Sequence, residues 1–497
     1  MNSVLKDGKE YQIPISRRES LVCLFSTITL FSSAWVLGGY SSFALNLLLI
    51  GGLCTFFLSI VPLPNSWNGY DGKHGNLKNF NRAFRSPFSW GCLLFLLYVY
   101  VQFLNPSVAI IVEGDSWGAA SIQPPFGKAF PSSVRAEYAE MNALRSLIIH
   151  IGALSCSVGI LVGIKRIKTI LVLLWAFLMS GVLMGFVAIL HKFSGSKLLL
   201  WIWESSNQNM WGSFVYRNQG AAFLILVSIV SGVLYFFHQS QIKEDNKGGP
   251  HFLCFLCMCL LFASIWLALS RGGIILGSML ILVFCILSLI RFFILSKRGR
   301  LKNNLIKFSI IFSLVSILGI LFMNEFSNWN EIEKRLNQSI VLKDEINSSN
   351  RLLSTKATFN MAKDRIVFGW GAGSFRYIFP IYQQEFKDIW HKKKHVKRGW
   401  EGRKIYHYAH NDWIQFLAEY GIVGCLILGI LFGYIFNLSI KTCRRNIISG
   451  IFFCFGLLLI VLHNSIDFIF SSPAYWVAFW SVSLLIIKLI NFNHKFK

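Results

Sequence analysis

The sequence predicts an all-α polytopic membrane protein with about twelve transmembrane helices and a large helical loop on the outer side. Three observations carry this. The 497-residue chain is 54% hydrophobic and only 14% charged, against about 25% charged in soluble domains. Its mean hydropathy is +0.54, and apolar runs of about 20 residues, each long enough to cross a bilayer as a helix, recur from Leu21 to Ile490. Finally, 48 Lys+Arg stand against 23 Asp+Glu. In so apolar a chain that excess points to membrane topology, not to a nucleic-acid partner.

The runs fall at 21–38, 42–61, 88–104, 146–164, 169–190, 219–237, 252–269, 273–294, 308–323, 413–436, 447–462 and 475–490. Lys6, Lys9, Arg17 and Arg18 precede the first, as in a signal peptide, but no small-residue cleavage site follows, so it reads as a retained span. The stretch 252–294 would be about 64 Å as one helix, twice a bilayer's thickness. Its one interruption is Ser270-Arg271-Gly272-Gly273, so the chain turns back there. Basic connections alternate with poorly charged ones, which places both termini in the cytoplasm. The outer side then receives loops near 105–145 and 191–218, the Arg271 turn, the segment from Asn324 to Asp412, and the turn from His463 to Ala474. Four segments result: 1–149, 150–323, 324–412 and 413–497.

The 11 cysteines lie in apolar runs or beside a basic stretch, so no disulfide framework is expected. Cys254, Cys257 and Cys259 have metal-like spacing, but no charged partner stands near them in their apolar run. In the long loop, Glu331 to Glu345 and Arg351 to Ile366 have helical spacing, the second with Leu352, Leu353, Phe359 and Met361 on its apolar side. The turn from Phe368 to Phe375 is glycine-rich, yet no strand precedes it and no phosphate-loop Lys follows. It reads as tight loop packing. The run from His391 to Arg398 reads as a solvated face or a contact with anionic headgroups.

Four polar constellations on the outer side carry candidate chemistry. Arg217, Asn218 and Gln219 open the 219–237 span, as a site or as an interfacial snorkelling group. Arg271 occupies a hairpin too short to carry its charge into water, as a ligand or as a partner of helix carbonyls. His410 stands just ahead of a helix capped by Asn411 or Asp412, where an imidazole can accept a proton or merely cap. Asn411, Gln415 and Glu419 share one face of that helix, which must look into protein or a wet cavity. His463 and Asp467 lie one turn apart, suited to a structural hydrogen bond as much as to catalysis. Two arginines and a helix N-terminus suit a diphosphate, and a neighbouring histidine suits deprotonation of a hydroxyl. No acidic pair suggests Mg²⁺, and no cofactor is called for.

Four motifs together resemble the O-antigen ligase and polymerase superfamily, across roughly residues 150–490. They are Tyr216-Arg217-Asn218-Gln219-Gly220, Leu269-Ser270-Arg271-Gly272-Gly273, Gly369-Trp370-Gly371-Ala372-Gly373-Ser374-Phe375, and His410-Asn411 followed, after nine intervening residues, by Gly421-Ile422-Val423-Gly424. The resemblance implies a GT-C-like, metal-independent glycosyltransferase of the bacterial inner membrane. It would move a glycan from undecaprenyl diphosphate to a hydroxyl of lipid A-core or another acceptor on the periplasmic face. By that resemblance His410 activates the acceptor hydroxyl and Arg217 and Arg271 hold the donor diphosphate. Asn218, Gln219, Arg351, Asn411, His463 and Asp467 complete the substrate-binding set. A polymerase of O-antigen or exopolysaccharide and a protein O-oligosaccharyltransferase remain open alternatives within the superfamily. A lipid-linked sugar transporter is a further one, although its expected internal repeat is not visible. A cysteine introduced between 391 and 404 is expected to react with an impermeant thiol reagent from the periplasm; labelling only from the cytoplasm overturns the orientation.

Overall fold

In a bilayer a long apolar run can satisfy its backbone only as a helix or in a closed barrel, and every described run here is helical. The computed structural model describes residues 3–6, 9–12, 15–113, 116–137, 141–205, 207, 209–241, 249–297, 350–391 and 404–493. Its main helices are α1 Arg17–Trp35, α2 Ser42–Ile60, α3 Gly75–Phe84, α4 Pro87–Leu104, α5 Ala143–Gly163, α6 Ile167–Ser194, α7 Arg217–Ser240, α8 Pro250–Leu267 and α9 Arg271–Lys297. They continue with α10 Asn350–Asp364, α11 Phe375–Gln383, α12 Lys387–Trp390, α13 Asp412–Arg445, α14 Ile447–Asn464 and α15 Pro473–Asn493.

Ten of these, α2, α4 to α9 and α13 to α15, are long and apolar enough to cross a membrane. The chain is therefore a multi-pass, helical membrane protein, as its composition predicts. α1 fills the first expected run but is less apolar, because it starts on Arg17, Arg18 and Glu19 and carries Ser and Thr along its length. The expected span at 308–323, the loop helix at 331–345 and most of the basic stretch after His391 lie outside the described residues. α7 and α15 are buried almost throughout and form the centre of the bundle.

Strand appears where only loops were expected. β1 Ser3–Lys6 and β2 Lys9–Gln12 form a hairpin. In the 105–145 connection, β3 Pro106–Glu113 pairs antiparallel with β4 Ser116–Ser121 and parallel with β5 Ser133–Arg135. The β-branched run Ile110-Ile111-Val112 suits a pleated surface. Arg365 fastens this sheet to the long loop: its Nη1 donates to Ser107 Oγ and Ser132 Oγ, and its guanidinium lies 4.2 Å over the Trp370 ring.

Charges at one end of the bundle are paired within it. Glu19 accepts from the backbone N–H groups of Lys165 and Arg166 and binds Arg166 Nη1 at 2.6 Å. Asp71 binds Lys78 and Lys165. Lys488 Nζ donates to the carbonyls of Ile160, Leu161 and Ile164 at the end of α5, where a cation is favoured. These belong to the basic connections read as one side of the membrane.

At the opposite end α13 is broken. Gly421 has φ +63°, ψ −173°, so the turn 412–420 and the long span after it are separate helical pieces. The glycine-rich loop after α10 supplies the missing hydrogen bonds. Trp370 N donates to Ala418 O and Gly371 N to Glu419 O, while Ile422 N and Val423 N donate to Ile366 O and Val367 O. From α4, Tyr98 Oη reaches Phe368 O and Tyr420 O, and Gln102 Nε2 reaches Phe368 O and Glu419 O. This loop packs tightly against the break in α13, as its glycines suggested.

α10 forms as expected but is turned about its axis. It buries Ser354, Ala357, Thr358, Met361 and Ala362, whereas Phe359 is exposed beneath Lys363. The small residues face inward because α10 packs closely on α13, leaving no room for a ring on that side. Gly369, at φ +70°, would place an added Cβ 2.4 Å from Glu419 O. Gly369→Ala is expected to destabilise the protein by about 2–4 kcal/mol, from backbone strain plus overpacking, read as a lowered thermal midpoint in detergent.

Candidate active site around Asp467 and His410

The segment between α14 and α15 carries the carboxylate that organises the site. Asp467 is buried, and its neighbours arrive from four separate parts of the chain. Asn218, in the first turn of α7, donates a short hydrogen bond from Nδ2 to Asp467 Oδ2. Arg351, opening α10, sets Nη2 3.7 Å from Oδ2 and donates from Nη1 to Ile466 O at 3.2 Å. His410, ahead of α13, places Nδ1 3.4 Å from Oδ1, within ion-pair distance though not aligned as a hydrogen bond. The Phe468 N–H donates to Oδ1 at 3.0 Å. Burial pushes the Asp467 carboxyl up, but the contact with His410 and the charge of Arg351 outweigh it, and the net shift is below the ordinary carboxylate value.

His410 is held in an uncommon conformation. Its φ is +57°, in the left-handed region that costs an L-residue about 1–2 kcal/mol, and the flanking bonds fix it there. Ala409 N donates to Gln415 Oε1 and Ser354 Oγ donates to Ala409 O. Asn411 accepts from Ile414 N, so its carbonyl oxygen is the N-cap of α13 and its expected role in binding falls to its Nδ2 alone.

An aromatic stack supports these groups, and sequence reading missed it. Phe468 lies between Tyr216 and Tyr408, parallel to each with centroids 4.8 Å apart, and the His410 ring meets its edge at 4.7 Å. Tyr216 Oη accepts from Asn218 Nδ2 at 2.9 Å, and burial, followed by the Asp467 charge, pushes its phenol up to about 12. The clue in the sequence was a tyrosine immediately before Arg217 and another two residues before His410.

The remaining predicted residues divide. Gln219 is committed to structure: its Nε2 is within 2.6 Å of Tyr40 Oη and Ser471 Oγ and 3.2 Å from Phe468 O, tying the turn after Asp467 to α7. His463 does not bond the Asp467 carboxylate, as its spacing suggested. Only their backbones pair, Asp467 N to His463 O at 3.1 Å, while the buried His463 ring packs on the start of α9. A Cβ added to Gly272 would sit 3.0 Å from His463 Nε2. Arg271 begins α9 at that point, and Ser270 Oγ caps the helix by accepting from Gly273 N. The carbonyl of Leu267 at the end of α8 accepts from Lys192 Nζ at 2.8 Å. Arg217 begins α7 beside Tyr216 and Asn218, its N–H donating to Asn209 O. Both arginines thus stand at helix N-termini beside the segment 463–468.

Gln415 and Glu419 line a small cavity of about 30 Å³ with mixed polar and apolar walls and room for about two waters. Arg376 and His407 stand on its rim, 2.6 Å apart. The face shared by Gln415 and Glu419 thus looks into the protein, onto this cavity, and Asn411 is not part of its lining.

Among the predicted residues, Asp467→Asn tests the carboxylate. A pKa lowered by folding supplies stability above the unfolded value, and that stability is lost as pH falls through the folded value. The wild type is therefore expected to melt above the variant at neutral pH, with the gap closing as pH drops below about 4.

Residues 255–429 match the family model described as O-antigen ligase. The matched stretch holds Arg271, Arg351 and His410, while Arg217, Asn218 and Asp467 are brought to them from outside it. No curated protein matches the chain.

Proposed function

From a chain that carries an O-antigen ligase domain at residues 255–429, and so an O-antigen ligase-type function in general, we propose a specific reaction. The protein transfers a glycan from undecaprenyl diphosphate to a hydroxyl of lipid A-core at the periplasmic face of the bacterial inner membrane, with both termini in the cytoplasm. The observation that carries the mechanism is the His410–Asp467 pair. With Nδ1 turned to the buried carboxylate, the ring's Nε2 is the nitrogen that meets an incoming hydroxyl. Asp467 orients the imidazole and stabilises its protonated form as the hydroxyl gives up its proton.

The leaving diphosphate needs fixed positive charge in a site of low dielectric. Arg217 and Arg271, each at a helix N-terminus, provide guanidinium groups and helix dipoles of the same sign. Arg351 is held against Asp467 with about half its side chain exposed, so it can contact a phosphate of donor or acceptor without leaving the carboxylate. Asn218 bridges Asp467 and Tyr216 and acts by holding both. No protein nucleophile is required: one glycosidic bond forms as the bond to diphosphate breaks, and the hydroxyl proton passes to His410.

The test is reconstitution with an undecaprenyl-diphosphate glycan and lipid A-core. His410→Ala is expected to lower turnover by at least about 10²-fold, and Arg271→Ala to lower it by a comparable factor when the donor is limiting. Full turnover by His410→Ala removes the general base. Elongation of the glycan on its own lipid carrier, with lipid A-core left unmodified, moves the assignment to a polymerase. Transfer of the donor across vesicles with no new glycosidic bond moves it to a transporter.

A further inference from the structure

The lipid-facing surface of a membrane helix bundle is ordinarily ridged by large side chains. Between α2, α3, α4 and α5 it is instead concave, with a cavity of about 460 Å³ at the end of the bundle away from His410. Small residues make the hollow: Ala83, Ser89, Cys92 and Ser155 lie between walls that include Phe57 and Trp90. Its lining is almost entirely apolar, and Phe57, Phe84, Trp90 and Leu93 are about half exposed along it.

α3 closes one end of this groove and is a two-faced helix. Leu77, Phe80 and Phe84 are all more than half exposed on one face, and the Phe80 and Phe84 rings stack while Phe84 meets Trp90 edge-on. Lys78, Arg82 and Arg85 recur at i, i+4 and i+7 on another face. A short basic helix with exposed aromatic residues lies in the plane of a membrane interface. Arg82 Nη1 is bound to Val162 O and Lys78 to Asp71, whereas the Arg85 side chain extends outward from the helix end, next to Phe84 in the groove wall.

One polar atom inside the groove has no partner among the described residues. Ser89 Oγ is shielded from solvent and makes no hydrogen bond, and it stands one turn beyond Arg85 at the start of α4. From the end of α3 into α4 the order is cation at Arg85, hydroxyl at Ser89, then apolar lining from Cys92 to Leu96, with about 10 Å of axis from Ser89 to Leu96. Phosphate, ester carbonyl and acyl chain follow one another in the same sequence in a glycerophospholipid.

We propose that this groove binds one anionic phospholipid. An acyl chain fills the hollow, the Ser89 hydroxyl turns from its shielded, unbonded position to donate to the ester carbonyl, and the phosphate lies against Arg85, while Lys78, two turns back and paired with Asp71, adds positive charge at longer range. Charge complementarity selects an anionic over a zwitterionic headgroup, at about five-fold in affinity per basic residue. The site is remote from the proposed chemistry and does not depend on it.

The experiment is native mass spectrometry of the full chain, purified in detergent and offered phosphatidylglycerol or phosphatidylcholine. The wild type is expected to retain one phosphatidylglycerol in clear preference. The pair Lys78→Glu with Arg85→Glu should lower that retention about 25-fold or more, to the level of phosphatidylcholine. Ser155→Phe, which fills the floor of the hollow, should lower retention of both lipids. Arg85→Gln changes one outward side chain and should give a smaller fall in the same direction if the double variant does not fold. Equal retention of the two lipids by the wild type, or phosphatidylglycerol retention unchanged in Arg85→Gln and Ser155→Phe, overturns the proposal.

Discussion

A carboxylate buried away from water must be neutralised or surrounded by donors, and the candidate site is arranged around that constraint at Asp467. An isolated buried charge costs several kcal/mol or more, so the Asn218 amide, the Arg351 guanidinium, the His410 ring and the Phe468 N–H are drawn to one point. Those four groups come from α7, α10, the entry to α13 and the turn before α15. Satisfying one charge therefore fixes the relative position of four parts of the bundle. Removing any one donor leaves the charge under-satisfied and loosens the others, so the site is coupled by electrostatics rather than assembled residue by residue.

A second constraint supports the first. For His410 to stand beside Asp467, the chain must enter the bundle through a short helical turn and then change direction at Gly421. The backbone groups freed by that break lie where water cannot serve them. The loop 366–371 and the polar ends of Tyr98 and Gln102 serve them instead. Non-helical backbone is tolerated at this depth because it is buried in protein. The glycines at 369 and 421 are needed because the two backbones approach too closely for a Cβ and both adopt positive φ. The glycine-rich turn thus shapes the candidate site from a distance, through the angle at which α13 presents its N-terminus.

Charge is divided between the two ends of the molecule by the same reasoning. At the end that carries α3 it is spent on helix ends and ion pairs: Glu19 with Arg166, Asp71 with Lys165, and Lys488 on the last carbonyls of α5. At the other end Arg217 and Arg271 open helices, where their charge adds to the dipole instead of opposing a carbonyl terminus. Among the described residues the basic side chains thus include one group that holds the bundle together and one that stands at the candidate site.

The helical multi-pass architecture, ten of the twelve expected spans, the placement of His410 before a capped helix and the turn at Arg271 were legible in the sequence, because each depends on local hydropathy and local hydrogen bonding. A run of 20 apolar residues has few options in a bilayer, and Asn411 caps whatever helix follows it. Pairing across the bundle was not legible. Spacing joined His463 to Asp467 because they are one turn apart, yet the carboxylate turns to His410 and Asn218, residues 57 and 249 positions away. The Phe468 stack between Tyr216 and Tyr408, the rotation of α10 that exposes Phe359, and the commitment of Gln219 to Tyr40 and Ser471 were likewise settled only by packing. Local sequence fixes what a segment can become; which side chains meet is decided by how the segments fill space around a charge that must be answered.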